Sequence, residues 1–174
     1  MRFQPLSLDG VFIVEPELRM DPRGFFARTF CQDEFASHGL DSNFVQCNVS
    51  WNAQRGTLRG LHFQKPPSRE GKLVRCSAGV IWDVAVDLRP QSTSYRRWVA
   101  LELSAENRRA LYIPPGFAHG FQTLSDGAEV FYQMSDMYAS ELADGLRWND
   151  PALAIDWPIP DPILSDRDAA WPLL

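Results

Sequence analysis

The chain carries three histidines, and one of them, His62, stands inside a strand-like run, "GTLRGLHFQ" (56–64). Imidazole titrates near neutral pH, so a histidine in such a place is suited to moving a proton. The alternative is a core histidine satisfied by a backbone carbonyl. Arg59 lies three residues before it, and Lys72 follows Gly71 in "GKLVRCSAG", ten residues after it. His119 follows a Pro-Pro-Gly turn in "IPPGFAHGF", at the mouth of a further strand. Tyr132 in "EVFYQM" shares a strand face with Val130 and Met134, as an amphipathic core residue would. Tyr138 sits in the loop-like "SDMYAS", where an exposed ring could stack on a planar ligand.

These residues do not spell a metal site. The metal-type cupin pattern needs H-x-H, a carboxylate and a later P-x-G-x-x-H turn. Pro114, Gly116 and His119 supply the last part, but Phe63 and Gln64 follow His62 where a second histidine is required. Two imidazoles are too few for a first-row metal, which usually takes three or more strong ligands. The chain has no GxGxxG or GxxxxGK[ST] phosphate loop and no G-x-S-x-G elbow. Cys31, Cys47 and Cys76 are odd in number, lack CxxC spacing and read as reduced, buried thiols.

The elements that must position these groups are short strands. Ten runs rich in Val, Ile, Phe, Tyr and Trp are separated by Gly, Pro, Asp and Ser clusters, from "GVFIVE" through "GFFARTF", "TLRGLHF" and "VIWDVAVDL" to "EVFYQM". This pattern predicts an all-β sandwich or barrel, most simply a jelly roll. Helix is scarce: "CQDEFASHG" predicts one short helix closed by Gly39, and "SAENRR" a single turn opened by Ser104. Strand alternation would put Arg59 and His62 on opposite faces unless Gly60 marks a bulge that re-aims one of them. In "VIWDVAVDL", Trp82, Val84, Val86 and Leu88 form an apolar face that must meet a second sheet or the tail. Asp83, Ala85 and Asp87 face either solvent or a polar interior. Five of the thirteen prolines lie after Asn149 with Trp157 and Trp171, so 149–174 is expected to wrap a core spanning roughly 11–148. The whole, 1–174, is expected to be one domain.

Composition removes other classes. Hydrophobic content of 45% with 12% aromatics excludes a disordered chain, and a net charge of −5 argues against nucleic-acid binding by bulk electrostatics. No apolar run is long enough for a membrane span, and no signal peptide is visible, so a cytoplasmic protein is expected.

Together, "DPRGFF", "QCNVS", "GTLRGLHFQ", "KLVRC", "WDVAVDLR", "SAENRR", "IPPGFAHGF", "EVFYQM", "RWNDP" and "LSDRD" resemble the dTDP-4-dehydrorhamnose 3,5-epimerase (RmlC-like) family, a branch of the cupin jelly rolls. The resemblance implies a cofactor-independent, metal-free epimerase acting on a nucleotide-linked 4-keto-6-deoxy-hexose. It implies that His62 removes a proton next to the ketone, that Tyr132 returns one from the other face, and that Lys72 stabilises the enolate oxygen. The "LSDRD" match makes Asp166 the carboxylate that orients His62, with Asp83 as a rival. Arg23, Gln46, Asn48, Arg59 and His119 match positions that grip sugar or diphosphate, and Tyr138 the ring that stacks on thymine. The expected partners are the dTDP-linked sugar and a second copy, in a homodimer formed by N-terminal strand exchange with "GVFIVE" as the exchanged strand. Departures from the family pattern are Arg28 in place of an acidic residue, a slightly longer 50–57 loop, and no clear match to a glutamate near Glu141. Alternatives are a C3-only epimerase, a relative acting on another nucleotide sugar, a non-catalytic sugar-nucleotide binding module and a metal-dependent cupin enzyme.

Overall fold

The computed structural model describes residues 1–174. Thirteen strands and two short helices follow one another along the chain. One antiparallel sheet has the order β1 (Arg2–Pro5), β2 (Phe12–Glu15), β10 (Ala110–Ile113), β7 (Lys72–Ala78), β12 (Ala128–Met134), β5 (Gln46–Asn52). The other has the order β13 (Ala143–Gly145), β6 (Leu58–Gln64), β11 (Phe117–Thr123), β8 (Val80–Asp87), β9 (Trp98–Ser104). A small hairpin, β3 (Arg19–Asp21) and β4 (Gly24–Phe26), stands apart from both. This is the jelly roll expected from the strand pattern. No helix is long and apolar enough to cross a membrane.

Three apolar layers account for strands that are buried on both faces. Val74, Leu111 and Val130 of the six-stranded sheet meet Ile81, Ala85, Leu103, Phe117 and Phe121 of the five-stranded one. On the outer side of the five-stranded sheet, Leu61, Val84, Val86 and Ala118 pack under Leu146, just after β13, and under Leu153, Ile155 and Trp157 of the tail. On the outer side of the six-stranded sheet, Val14, Leu73, Ala110 and Tyr112 are covered by Phe35 of α1 (Gln32–Ser37) and by Leu40. Each fully buried Val, Leu or Phe contributes about 1.5–3 kcal/mol of transfer free energy. The apolar face of β8 therefore meets the tail, while Asp83 and Asp87 point inward and are fully buried. Asp87 is compensated by Arg89, Ser92 and Ser94, which hold its pKa far below the ordinary carboxylate range despite burial.

The proline-rich tail replaces a strand ladder with side-chain bonds. Gln122, fully buried on β11, donates to Ile159 O (2.8 Å) and accepts from Ile159 N (3.0 Å). Ile163 makes a bridge beside Thr57. Trp171 lies on Gly145, where an added Cβ would come within 2.3 Å of the indole.

Several local expectations need correction. "GVFIVE" is not free for a partner, because β2 is paired on both sides, with β1 and β10 of its own chain. By contrast, the "SAENRR" segment forms the single turn expected, opened by Ser104, whose Oγ accepts from Asn107 N (3.0 Å). Of the three free cysteines only Cys76 is buried; Cys47 is exposed on the outward face of β5 and Cys31 is intermediate. β1, β3 and β13 are three or four residues long, too short to show alternation.

The bulge at Gly60 is present. On β6 and β11, His62 faces His119 and Arg59 faces Phe121, so Gly60 and Leu61 together oppose Gly120. Gly60 has φ +135°, and a Cβ there would lie 2.6 Å from Gly120 Cα and 3.0 Å from His119 O. Only glycine fits, and the extra residue brings Arg59 and His62 to the same side. Gly60→Ala should therefore cost about 2–4 kcal/mol in urea denaturation, from the positive φ and the backbone clash combined. An unchanged unfolding midpoint would show that the two strands are not in this contact.

Candidate active site

A cavity of about 550 Å³ opens on the inward faces of β5, β6, β7, β11 and β12. Its wall brings together most of the residues singled out from the sequence. Arg59 and His62 come from β6, Lys72 from β7, His119 from β11 and Tyr132 from β12. Gln46 and Asn48 line it from β5, with Tyr138 exposed at the rim. A more open depression of about 670 Å³ beside the Pro114–Pro115 turn has no histidine, lysine or cysteine in its lining.

His62 Nε2 lies 2.6 Å from Asp168 Oδ1, across 106 residues of sequence. An ionised carboxylate only accepts, so Nε2 carries a hydrogen, and in the neutral imidazole Nδ1 is the nitrogen with the lone pair. Burial pushes the Asp168 carboxyl upward, but the hydrogen bond and charge of His62, with bonds from Trp171 and Ser165, outweigh it and leave the pKa below the ordinary value. The carboxylate on His62 is thus neither Asp166 nor Asp83. Asp166 is the exposed first residue of α2 (Asp166–Ala169). Ser165 caps that helix by accepting from Asp168 N (3.1 Å), which turns Asp168 inward, where its carboxylate also receives Trp171 Nε1 (3.2 Å). The S-x-x-D spacing of "SDRD" is a helix-start signature that could have revealed this phase. Asp83 serves the other imidazole: His119 Nε2 donates to its Oδ1 at 2.8 Å.

Tyr132 is half-buried, and its phenol pKa is raised, first by burial and then by the charge of Glu70; Arg59 and a hydrogen bond with Asn48 act in the opposite direction. The phenol is thereby kept protonated. The Lys72 ammonium is buried and ion-paired with Glu70. Arg59 is oriented by Asn52, whose Oδ1 accepts from its Nε at 2.7 Å. Glu70, Asn52, Asp144 and Arg167 were not singled out by sequence reasoning; Glu70, Asp144 and Arg167 line the cavity and Asn52 stands behind it.

Other candidates fall outside. Arg23 is exposed on the β3–β4 turn, bound to Asp21 at 2.6 Å. Arg28 pairs with Glu34 (3.1 Å), and Glu141 does not reach the cavity wall, where Asp144 stands instead. No three His, Cys, Asp or Glu side chains converge to hold a metal ion, since each cavity histidine is engaged with one carboxylate. Burial pushes the Cys76 thiol up to about 11, unfit for a nucleophile.

A family-wide sequence description of dTDP-4-dehydrorhamnose 3,5-epimerases matches residues 5–174. The dTDP-4-dehydrorhamnose 3,5-epimerase of Methanothermobacter thermautotrophicus is 49% identical, over 98% of this chain and 92% of that protein. The crystal structure of the Bacillus anthracis enzyme of that name, with TDP and PPi bound, superposes with a TM-score of 0.96 at 43% identity, covering 99% of both chains. That of the Legionella pneumophila dTDP-6-deoxy-D-glucose-3,5-epimerase, in complex with dTDP-4-keto-L-rhamnose, gives 0.93 at 42% identity, covering 99% of this chain and 92% of the other.

Because the folded pKa of Asp168 is depressed, its contribution to stability is full above the unfolded value of about 4 and is lost as pH falls through the lower folded value. Asp168→Asn should flatten the acid side of a Tm-against-pH curve recorded from about pH 5 downward. A curve parallel to that of the unaltered protein would contradict the pairing.

Proposed function

The chain belongs to the dTDP-4-dehydrorhamnose 3,5-epimerase family, and on that premise we propose that its cavity converts dTDP-4-dehydro-6-deoxy-D-glucose to dTDP-4-dehydro-L-rhamnose by inverting C3 and C5. One observation carries the residue roles: an imidazole, an ammonium and a phenol line a single cavity.

In this reading His62 Nδ1 takes the proton from carbon next to the C4 ketone. The C–H electron pair moves into the ring as an enolate, and charge develops on the C4 oxygen. Lys72 meets that charge; a preorganised cation in a site shielded from water is worth roughly 10²–10³ in rate. Tyr132 delivers its hydroxyl proton to the opposite face, inverting the centre. The cycle closes when the imidazolium releases its proton and the phenolate regains one, so no electrons are exchanged with any cofactor. Asp168 holds the His62 tautomer and stabilises the imidazolium. Arg59, Gln46, Asn48 and His119 hold the sugar and diphosphate, and Tyr138 stacks on the base. The planar guanidinium suits bidentate binding of phosphate, and local cations supply the attraction that an acidic chain lacks in bulk.

The homodimer also belongs to this reading. With β2 engaged in its own sheet, the β3–β4 hairpin is the N-terminal element left to exchange; it exposes Met20, Phe25 and Phe26. The edge of β5, beside the cavity, is unpaired and carries exposed Val49 and Trp51. Joining the two would carry Arg23 toward the partner's cavity rim. The free cysteines suit a reducing, cytoplasmic setting.

Incubation with dTDP-4-dehydro-6-deoxy-D-glucose in heavy water, followed by NMR, should place deuterium at C3 and C5. Label at C3 alone would favour the C3-only reaction, and binding without exchange would reduce the protein to a binding module. His62→Ala should lower kcat by at least roughly 10²-fold. Tyr132→Phe should still exchange hydrogen but return it to the same face, giving label without inversion; inversion at full rate would remove Tyr132 from its role. Light scattering should give twice the chain mass, and Phe26→Asp should shift it to that of one chain. A dimer unaffected by this change would place the interface elsewhere.

A further inference from the structure

Glu70 stands just before β7, with its carboxylate buried in the cavity wall. Both of its oxygens are engaged. Oε1 accepts from Lys72 Nζ, and Oε2 accepts from Gln64 Nε2 at 2.9 Å. Gln64 in turn accepts from Ala139 N (2.7 Å) and donates to Met137 O (3.3 Å), the residues that flank Tyr138. A continuous hydrogen-bonded chain therefore runs from the Tyr138 segment to the ammonium at the chemical end of the cavity.

We propose that Glu70 is a positioning residue for the reaction: one carboxylate oxygen fixes the Lys72 ammonium, and the other ties it through Gln64 to the segment that carries Tyr138. This rests on the reading of Lys72 as the cation that meets the enolate. A lysine ammonium ends a flexible four-carbon stem and has no fixed direction of its own. Displacement of a catalytic group by about 1 Å can cost roughly 10²-fold in rate. An anchor that is itself buried and held on its second oxygen removes that freedom. It also leaves the ammonium with two hydrogens for the substrate oxygen, since the group has three donors.

The charge of Glu70 reaches Tyr132 as well. Burial and then Glu70 raise the phenol pKa, opposed by Arg59 and Asn48. The other titratable or charged groups around the same cavity are His62 from β6, Lys72 from β7, His119 from β11, Asp144 from β13 and Arg167 from α2, with Tyr138 at the rim. Removing the carboxylate charge lowers the phenol pKa, so the donor is lost at a lower pH.

Glu70→Gln keeps the shape and removes the charge. It should lower kcat roughly tenfold or more with KM changed less than about threefold, because the sugar and nucleotide contacts remain. The alkaline limb of kcat against pH should move to lower pH. Glu70→Asp, which keeps the charge on a shorter stem, should leave that limb in place while lowering kcat. In a Lys72→Met background, where hydrogen exchange at C3 is the readout, Glu70→Gln should cause no further loss. A Glu70→Gln enzyme with kcat within about twofold of the unaltered protein and an unmoved alkaline limb would overturn the proposal. So would a further loss of tenfold or more on top of Lys72→Met, which would mean that Glu70 acts elsewhere. Full activity in Lys72→Met alone would instead overturn the reading of Lys72, and the two failures are thus distinguishable.

Discussion

The hydrogen bond between His62 and Asp168 joins β6 to the last turn of helix in the chain, and the packing of the tail on the sheet makes it possible. The carboxylate reaches the imidazole only if residues 149–165 follow the outer face of the five-stranded sheet. Prolines deny that segment a ladder, so its grip comes from buried side chains: Leu153 and Trp157 on the sheet, Gln122 bonding to Ile159, and Trp171 seated on Gly145. Each contact is modest, but together they set where α2 begins. Folding energy spent far from the cavity thereby decides the tautomer of His62. The same constraint explains why a glycine is needed at position 145, where any side chain would push Trp171, and with it Asp168, away from His62.

The cavity also resolves a conflict between the whole chain and its ligand. A net charge of −5 should repel a diphosphate. Yet Arg59, Lys72 and Arg167 converge on one cavity, while the nearby carboxylates of Glu70, Asp83 and Asp168 are each engaged with a cation or an imidazole. Charge is sorted by pairing rather than by composition. Acidic groups around the site act on neighbouring side chains, and the cations keep their remaining hydrogens for a ligand. Because charges in a partly buried site are screened less than those on the surface, a few placed groups outweigh a larger and more distant excess.

Much of this was legible in the sequence where a residue type has a single physical meaning. Gly60 inside a strand marked the place where a bulge could form, and the bulge that is there lets Arg59 and His62 share a cavity. The alternation in "VIWDVAVDL" separated an apolar face from an acidic one, but only the fold put the first under the tail and the second toward the interior. What failed was phase and partnership. Two aspartates two residues apart in "SDRD" look equivalent until the Ser165 cap sets the helix, and then only Asp168 points inward. "GVFIVE" had the composition of an exchangeable strand, but nothing in it told that its own β10 would pair with it. "ADG" of β13 is too short to show a period, and Glu70 and Asn52 gain their meaning only from the side chains they hold.

Two imidazole–carboxylate pairs face each other across adjacent strands, yet they are not interchangeable. The His62 side chain is 44% exposed and its carboxylate 7%, whereas His119 is 10% exposed and Asp83 not at all. A base in an inversion must discharge a proton at each cycle, which requires a route to water. The more open pair has one, and the buried pair does not. The buried pair is suited instead to holding a fixed donor against the substrate, where the lack of solvent strengthens the bond and limits reorganisation. The base and binding roles proposed for these chemically identical pairs therefore rest on their difference in burial. Burial in turn follows from position: His62 lies on β6, next to the three-residue β13 at the sheet margin, while His119 lies on β11, flanked by β6 and β8.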